Sequence, residues 1–108
     1  ATALPASAAL AMATREGARV LGMEKEVGML KPGCKADIIL INMDKPHLYP
    51  LHNPAAHVAY AASSADIDTT VVNGRVLMEN RRLLTVDENE VCAKAQECAN
   101  RLVQEAAD

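Results

Sequence analysis

The fold is decided by residues 27–44, which read VGMLKPGCKADIILINMD. Within this stretch the run Ile38–Ile41 has no polar alternation, a pattern typical of a strand that is covered on both faces. Pro32 and Gly33 suit the two central positions of a type II turn, because proline presets the first φ and glycine supplies the positive φ at the second. The stretch therefore predicts a short strand at about 27–30, a reversal, and a buried strand at about 37–42.

Before this stretch the sequence predicts two short helices, at about 5–13 and 15–21. Pro5 suits the first helical position, where its missing N–H is no loss. Thr14 can cap the second helix, and Gly22 is placed to end it.

After it, three prolines and no periodicity indicate a loop over residues 45–54, followed by a short helix at about 54–61 and a turn at 63–66. Asn73-Gly74 then predicts a β-hairpin, because both central residues of a type I′ turn need positive φ. A second turn at Glu79-Asn80 completes a three-stranded meander, with strands at about 68–72, 75–78 and 82–85.

A capping box of Asp87 and Glu90 predicts the start of a final helix. Its apolar positions keep a spacing of three to four residues: Val91, Ala95, Cys98, Leu102 and Ala106. Ion pairs four residues apart are predicted on its solvent side, Glu90 with Lys94 and Glu97 with Arg101.

Composition excludes several classes of partner. The net charge is −3, with both signs interspersed, so no basic stripe is available to bind nucleic acid. No apolar run approaches the ~20 residues of a membrane span. The odd number of cysteines, without a C-x-x-C pair, favours reduced thiols in a cytoplasmic protein. Position 1 is Ala and not Met, which we take as a sign of a longer parent chain.

The residues that could carry chemistry favour structural roles. His47, His52 and His57, together with Cys34, offer enough donors for zinc, but their spacing matches no common zinc pattern. Cys34 lies in the predicted turn without a nearby cation to activate its thiol.

The remaining candidates are also interpreted as structural. Cys92 and Cys98 lie six residues apart on one helix and therefore on different faces. Asp37, Asp66 and Asp68 are interpreted as solvent-facing or backbone-capping carboxylates near strand starts. We therefore assign no catalytic, substrate-binding or metal-binding residue to this chain.

Three segments, in order, resemble the amidohydrolase superfamily. Residues 28–38, GMLKPGCKADI, resemble its G-S-L-x-x-G-K-x-A-D-L segment, and residues 11–22, AMATREGARVLG, are similar to its M-A-T-x-x-G-A-x-x-L-G helix. Residues 46–54, PHLYPLHNP, look like the branch that contains 5-methylthioadenosine/S-adenosylhomocysteine deaminases and triazine chlorohydrolases.

The resemblance implies an α+β fold in three segments. Residues 1–22 would be the terminal helices at the end of a (β/α)8 barrel, and residues 23–86 the C-terminal part of a small composite β-sandwich. Residues 87–108 would be an amphipathic helix that closes it. The barrel and the first strands of the sandwich would lie outside this chain.

The resemblance also implies a function for the parent. It would be a metal-dependent aminohydrolase that removes an amino group from a purine-type or other N-heterocyclic substrate, with a zinc or iron ion held by residues outside this chain. The 108 residues alone would be structural, inactive and without a cofactor, and would need the rest of the parent or another subunit as a partner. We also expect a homo-oligomer. A chlorohydrolase, a ring-opening hydrolase and a free-standing α+β interaction module without chemistry remain alternatives.

Overall fold

The computed structural model describes residues 4–107. Residues 1–3 of the predicted first segment and residue 108 of the predicted last one lie outside the described residues. The division of the chain at residues 22 and 86 stays a prediction.

Four antiparallel strands form a single sheet in chain order, and the predicted meander is its larger part. The strands are β1 Ile38–Ile41, β2 Ile67–Val72, β3 Arg75–Glu79 and β4 Arg82–Leu83. Ile38 of β1 lies opposite Val71 of β2, and Met78 of β3 lies opposite Leu83 of β4. β1 is therefore an edge strand that pairs with β2 alone.

Both hairpins close through two-residue turns whose central residues have positive φ. Asn73 and Gly74 have φ of 49° and 78°, as a type I′ turn requires. Asn80 and Arg81 repeat the pattern in the next turn, with φ of 51° and 66°. The Asn73-Gly74 prediction is thus confirmed, and the second turn is centred one residue later than expected.

The helices lie at both ends of the chain and in the connection between β1 and β2. The α-helices are α1 Ala6–Ala11, α2 Gly17–Val20, α3 Pro54–Ala56 and α4 Glu88–Ala107. The π-helical segments are Met12–Glu16 and His57–Ala61, and the 3₁₀ turns are Pro46–Leu48 and Ser64–Asp66. The helices predicted at 54–61 and after Asp87 are confirmed.

The first helical stretch runs without a break from Ala6 to Val20, so the prediction of two helices separated at Thr14 is wrong. The Thr14 hydroxyl does not cap a helix but donates to the Leu10 carbonyl at 2.7 Å, within the stretch itself. Gly22 ends the stretch as predicted, with φ of 72° and a Schellman pattern in which Met23 N–H donates to Ala18 O.

No strand forms at residues 27–30, which corrects a second prediction. Gly28 has φ of 95°, and a Cβ there would lie 2.9 Å from both the Ala18 Cβ and the Thr14 carbonyl. The backbone at Gly28 is therefore pressed against the helix, in a conformation that no strand adopts. The predicted reversal is present, since Cys34 N–H donates to Lys31 O and Gly33 has φ of 95°.

The strand β1 confirms the predicted position but not the predicted burial. Ile39 and Leu40 are 50% and 54% exposed, because they point to opposite faces of β1 and the described residues cover neither face fully. Within residues 4–107 only three apolar side chains are buried: Ala11, Ala18 and Leu48. The described residues therefore do not enclose a core of ordinary size.

The long helix α4 is solvent-exposed along its described length. Leu102 and Val103 of its apolar side are 60% and 71% exposed. The Cα radius of gyration is 18.7 Å, whereas about 13 Å is expected for a compact chain of this length. The chain is therefore extended, and α4 has an apolar side that the rest of the described chain does not cover.

Two details of α4 refine the sequence interpretation. The Asp87 carboxylate accepts from Glu90 N–H at 3.1 Å, as its capping role requires, and Glu90 pairs with Lys94 at 2.8 Å. Arg101 lies 4.0 Å from Glu105, so the predicted pairing with Glu97 is wrong.

Candidate functional site

The most densely connected polar group of the described chain is the carboxylate of Asp66. This residue ends the 3₁₀ turn before β2, and it is only 3% exposed. Its Oδ2 accepts from the backbone N–H of Ser63 at 2.8 Å and lies 2.7 Å from Nε2 of His47. The Asp66 carbonyl accepts from Asn42 N–H at 2.8 Å, directly after β1. We call these four residues the Asp66 junction.

The environment of Asp66 favours its ionised form. The hydrogen bond from Ser63 N–H lowers the pKa of the Asp66 carboxyl most, and the hydrogen bond from His47 lowers it further. Burial opposes both effects, and the positive charges of His47 and Lys45 add to the lowering. Asp66 is therefore not solvent-facing, which was one of the two interpretations from sequence, whereas its bond from Ser63 N–H agrees with the backbone-capping one.

His57 holds the proline-rich loop from the other side. Its Nδ1 lies 2.8 Å from the Asn53 carbonyl and its Nε2 lies 2.9 Å from the Pro50 carbonyl. Both ring nitrogens therefore face acceptors, and neither is directed at a ligand site. The Asn53 side chain caps α3 by accepting from Ala56 N–H at 3.3 Å.

The exposed part of the same loop carries His52 and Tyr49. The Tyr49 hydroxyl donates to Asp44 Oδ1 at 2.8 Å. This hydrogen bond and the negative charge of Asp44 raise the pKa of the Tyr49 phenol above its ordinary value.

The other carboxylates also bind the backbone or a neighbouring side chain. Asp37 Oδ1 accepts from Asn73 N–H at 2.7 Å and so ties the start of β1 to the first hairpin turn. Asp68 Oδ1 accepts from the Thr69 hydroxyl at 2.7 Å. The capping role predicted for Asp37 is therefore confirmed.

The cysteines are not brought together. Cys34 is half-buried, with its thiol 3.9 Å from the Lys25 carbonyl, whereas Cys92 and Cys98 are exposed on α4. Nothing in these contacts points to a reactive thiol.

The described residues do not fit a metal ion. Among residues 4–107 no three side chains of His, Cys, Asp or Glu lie close enough to share one. Two of the three histidines are already engaged, His47 with Asp66 and His57 with two carbonyls. No helix in the same range has the length and apolar character needed to cross a membrane.

An apolar groove of about 560 Å³ lies between the first helical stretch and the segment that leads into β1. Its lining includes Ala18, Leu21, Val27, Leu30, Ile38 and Ile39. The groove lacks the converging polar groups that orient a substrate. Asp37, which borders it, is bound to Asn73.

Sequence reasoning did not identify two residues that hold this region together. Arg81 has positive φ, and its guanidinium donates to the carbonyls of Ser64 and Ile67 at 3.2 and 2.9 Å, on either side of Asp66. Leu48 is fully buried beside His47. The Ser63-x-x-Asp66 spacing was the available signal for the junction, whereas nothing local marks Arg81.

Comparison of this sequence with known proteins finds relatives that share one name. The 5-methylthioadenosine/S-adenosylhomocysteine deaminase of Pelotomaculum thermopropionicum is 54% identical over 94% of this chain, and that of Desulforudis audaxviator is 50% identical over 95%. The chain spans only 23% and 24% of their lengths, about a quarter.

Two solved structures share the fold of this chain. A zinc-bound adenosine deaminase from Xanthomonas campestris superposes with a TM-score of 0.86 and 26% identity, over 93% of this chain and 23% of its own. Atrazine chlorohydrolase from Arthrobacter aurescens, also a zinc complex, superposes with a TM-score of 0.78 and 34% identity, over 87% of this chain and 20% of its own. Residues 1–77 match the group described as the amidohydrolase family. The sequence motifs, the α+β architecture and these matches agree, and the chain belongs to the amidohydrolase family.

Proposed function

We propose that this chain is the C-terminal part of a metal-dependent hydrolytic deaminase, and that its residues serve as scaffold for that enzyme. The observation that carries the proposal is 54% identity, over nearly the whole chain, to a protein named as a 5-methylthioadenosine/S-adenosylhomocysteine deaminase. The substrate class that follows is an adenine nucleoside whose exocyclic amino group is replaced by oxygen. The location that we propose is the cytoplasm.

The exposed apolar surfaces support a scaffold role. Ile39 and Leu40 on β1, and Leu102 and Val103 on α4, are all at least half exposed. Single exposed apolar residues are ordinary, but here they accompany a core of three buried apolar side chains within residues 4–107. We propose that the rest of the parent covers these surfaces, with the first helices packed at the end of a (β/α)8 barrel and the sheet completing a small sandwich.

The metal of the parent would be held by residues outside this chain. Zinc is present in the adenosine deaminase and the chlorohydrolase that share this fold. Among residues 4–107 no three metal-binding side chains lie close together, and the contacts of His47 and His57 with Asp66 and with backbone carbonyls support a scaffold role for both. No catalytic step is therefore assigned to a residue of this chain.

A chlorohydrolase is the second candidate, because the Arthrobacter chlorohydrolase is 34% identical to this chain, more than the 26% of the Xanthomonas deaminase. A homo-oligomeric parent remains part of the proposal, since an exposed α4 also offers a surface to a second copy.

A segment exchange tests the scaffold role. This chain replaces the corresponding quarter of the Pelotomaculum deaminase, and release of ammonia from 5-methylthioadenosine is measured for the chimera and the parent. We expect the chimera to keep most of the parent's activity and its metal. A folded chimera that binds metal but has lost activity would overturn the proposal.

Two variants of the chimera supply the matched control. Gly28→Ala introduces a Cβ 2.9 Å from the helix, whereas Gly33→Ala meets nothing within 4 Å, although both glycines have φ of 95°. We expect the first variant to lose activity through misfolding and the second to keep it. The second candidate needs the full-length parent of this chain in place of the chimera, with atrazine as substrate and chloride release as the measurement, because the proposed catalytic residues lie outside this chain.

A further inference from the structure

The first hairpin turn joins two residues whose side-chain and backbone chemistry can react with each other. Asn73 and Gly74 are exposed and occupy the central positions of the turn. An asparagine amide is open to attack by the backbone nitrogen of the next residue, and attack is easiest when that residue is glycine, which has no side chain to obstruct it. A Cβ placed on Gly74 would meet nothing within 4 Å, so the neighbourhood is sterically open.

The same turn is docked onto the start of β1 by two hydrogen bonds. Asn73 N–H donates to Asp37 Oδ1 at 2.7 Å, and Gly74 N–H donates to the Ala36 carbonyl at 2.9 Å. The Gly74 nitrogen is the nucleophile of the reaction, and in the docked turn its proton is held by Ala36. Attack therefore requires the Gly74 N–H to leave the Ala36 carbonyl, and the adjacent bond from Asn73 N–H to Asp37 holds the turn in the docked position.

We propose that Asn73 is a deamidation site that the docking of the turn onto Ala36 and Asp37 holds in check. In the reaction the Gly74 nitrogen forms a bond to Asn73 Cγ and gives up its proton to water. The side-chain amide nitrogen takes up a proton from water and leaves as ammonia, so that a succinimide remains. Water then adds to the succinimide and opens it, leaving aspartate or isoaspartate at position 73. No oxidant, reductant or enzyme is needed.

The product does not fit the docked turn. A carboxylate at position 73 would belong to the same residue whose N–H donates to the Asp37 carboxylate, so the two negative charges would repel each other in the docked turn. The isoaspartate form also adds a backbone atom to a turn whose geometry depends on two central residues. Modification therefore works against redocking and leaves the start of β1 without its tie to the hairpin.

The test compares deamidation rates in the full chain at mildly alkaline pH, by mass spectrometry of the peptide that contains Asn73. The folded chain is measured against the same chain unfolded in urea, and Asp37→Ala against Asp37→Asn. We expect slow deamidation in the folded chain and fast deamidation in urea. Loss of a hydrogen bond to a charged group predicts about tenfold faster reaction in Asp37→Ala. Asp37→Asn keeps an acceptor and should fall between the two.

Asn80 provides an internal reference, because it also has positive φ in a two-residue turn but is followed by Arg81 instead of glycine. Its amide should stay intact over the same period in every variant. Equal rates for Asn73 in the folded chain and in urea would overturn the proposal, and so would equal rates for the parent and a folded Asp37→Ala. Should Asp37→Ala fail to fold, the comparison of the unsubstituted chain, folded and unfolded in urea, decides alone.

Discussion

The buried carboxylate of Asp66 and the half-exposed ring of His47 lie 2.7 Å apart, and they join segments 19 residues apart in sequence. Asp66 begins the connection into β2, and His47 belongs to the turn that carries the fully buried Leu48. The pair thus fixes the loop after β1 against the sheet. Because one partner is a buried acid, this attachment depends on pH.

Acid should weaken the chain through Asp66. Its folded pKa lies below the ordinary value of 3.8, so the ionised carboxylate stabilises the fold above that pH. This contribution is lost as the pH falls through the lower folded pKa. We expect the free energy of unfolding, measured with urea at several pH values, to fall in this acid range. In Asp66→Asn the fall should be smaller and the stability at neutral pH lower.

Asp68→Asn is the control for this experiment, since it leaves the Asp66 junction intact and changes a carboxylate that contacts only Thr69 among the hydrogen bonds described. The free energy of unfolding of Asp68→Asn should fall in acid as it does for the unsubstituted chain. An identical acid dependence in Asp66→Asn would show that the junction is not its source.

Gly28→Ala should destabilise the chain far more than Gly33→Ala. Both positions have φ of 95°, which costs an L-residue on the order of 1–3 kcal/mol. Only at Gly28 would the new Cβ also clash with Ala18 and Thr14, and overpacking adds about 1–3 kcal/mol. Urea denaturation of the two variants measures the difference, and equal midpoints would contradict the close approach of Gly28 to the helix.

Ile39→Lys should leave the fold nearly unchanged and reduce self-association. Ile39 is half exposed on an edge strand, where a lysine can reach solvent and discourage pairing with another chain. Ile41→Lys is the matched control, because Ile41 lies on the same strand but is less exposed. We expect the control to lower the melting temperature. Sedimentation velocity should show that the unsubstituted chain self-associates and that Ile39→Lys forms a smaller species. A monomeric unsubstituted chain would contradict the exposed apolar surface.

The isolated chain should bind no stoichiometric zinc and should not deaminate 5-methylthioadenosine. The reason is that His47 is engaged with Asp66 and His57 with two backbone carbonyls, and that no three metal-binding side chains lie close together among residues 4–107. Metal analysis after gel filtration in the presence of zinc measures the first property. One zinc per chain, lost in His47→Ala or His52→Ala, would show that the loop histidines form a site after all.

Local signals predicted most of the elements. The Asn73-Gly74 turn, the Asp87 cap and the Gly22 helix end each depend on residues within one turn of each other, so the sequence pattern contains the full cause. The sequence also predicted a backbone-capping role for Asp37, but it did not predict the partner, Asn73, which is 36 residues away.

The errors arose where distant residues decide the conformation. Gly28 is held out of a strand by Ala18 and Thr14, which no pattern around residue 28 reveals. The apolar run Ile38–Ile41 predicts a strand that needs cover on both faces, and the described residues supply little of that cover. For the same reason the pairing of His47 with Asp66 was not predicted, although a structural role for each was.

The order of the strands has a consequence for how the chain folds. Each strand pairs with its neighbours in sequence, and the two hairpins β2–β3 and β3–β4 close through two-residue turns. Such short-range pairing needs little loop closure and is fast, in the range of microseconds for a single hairpin. The two hairpins can therefore pair before β1, which joins β2 only after the long connection 42–66 has closed. β1 is thus the last strand to be added to the sheet, and the edge that it leaves open is the latest part of the sheet to form.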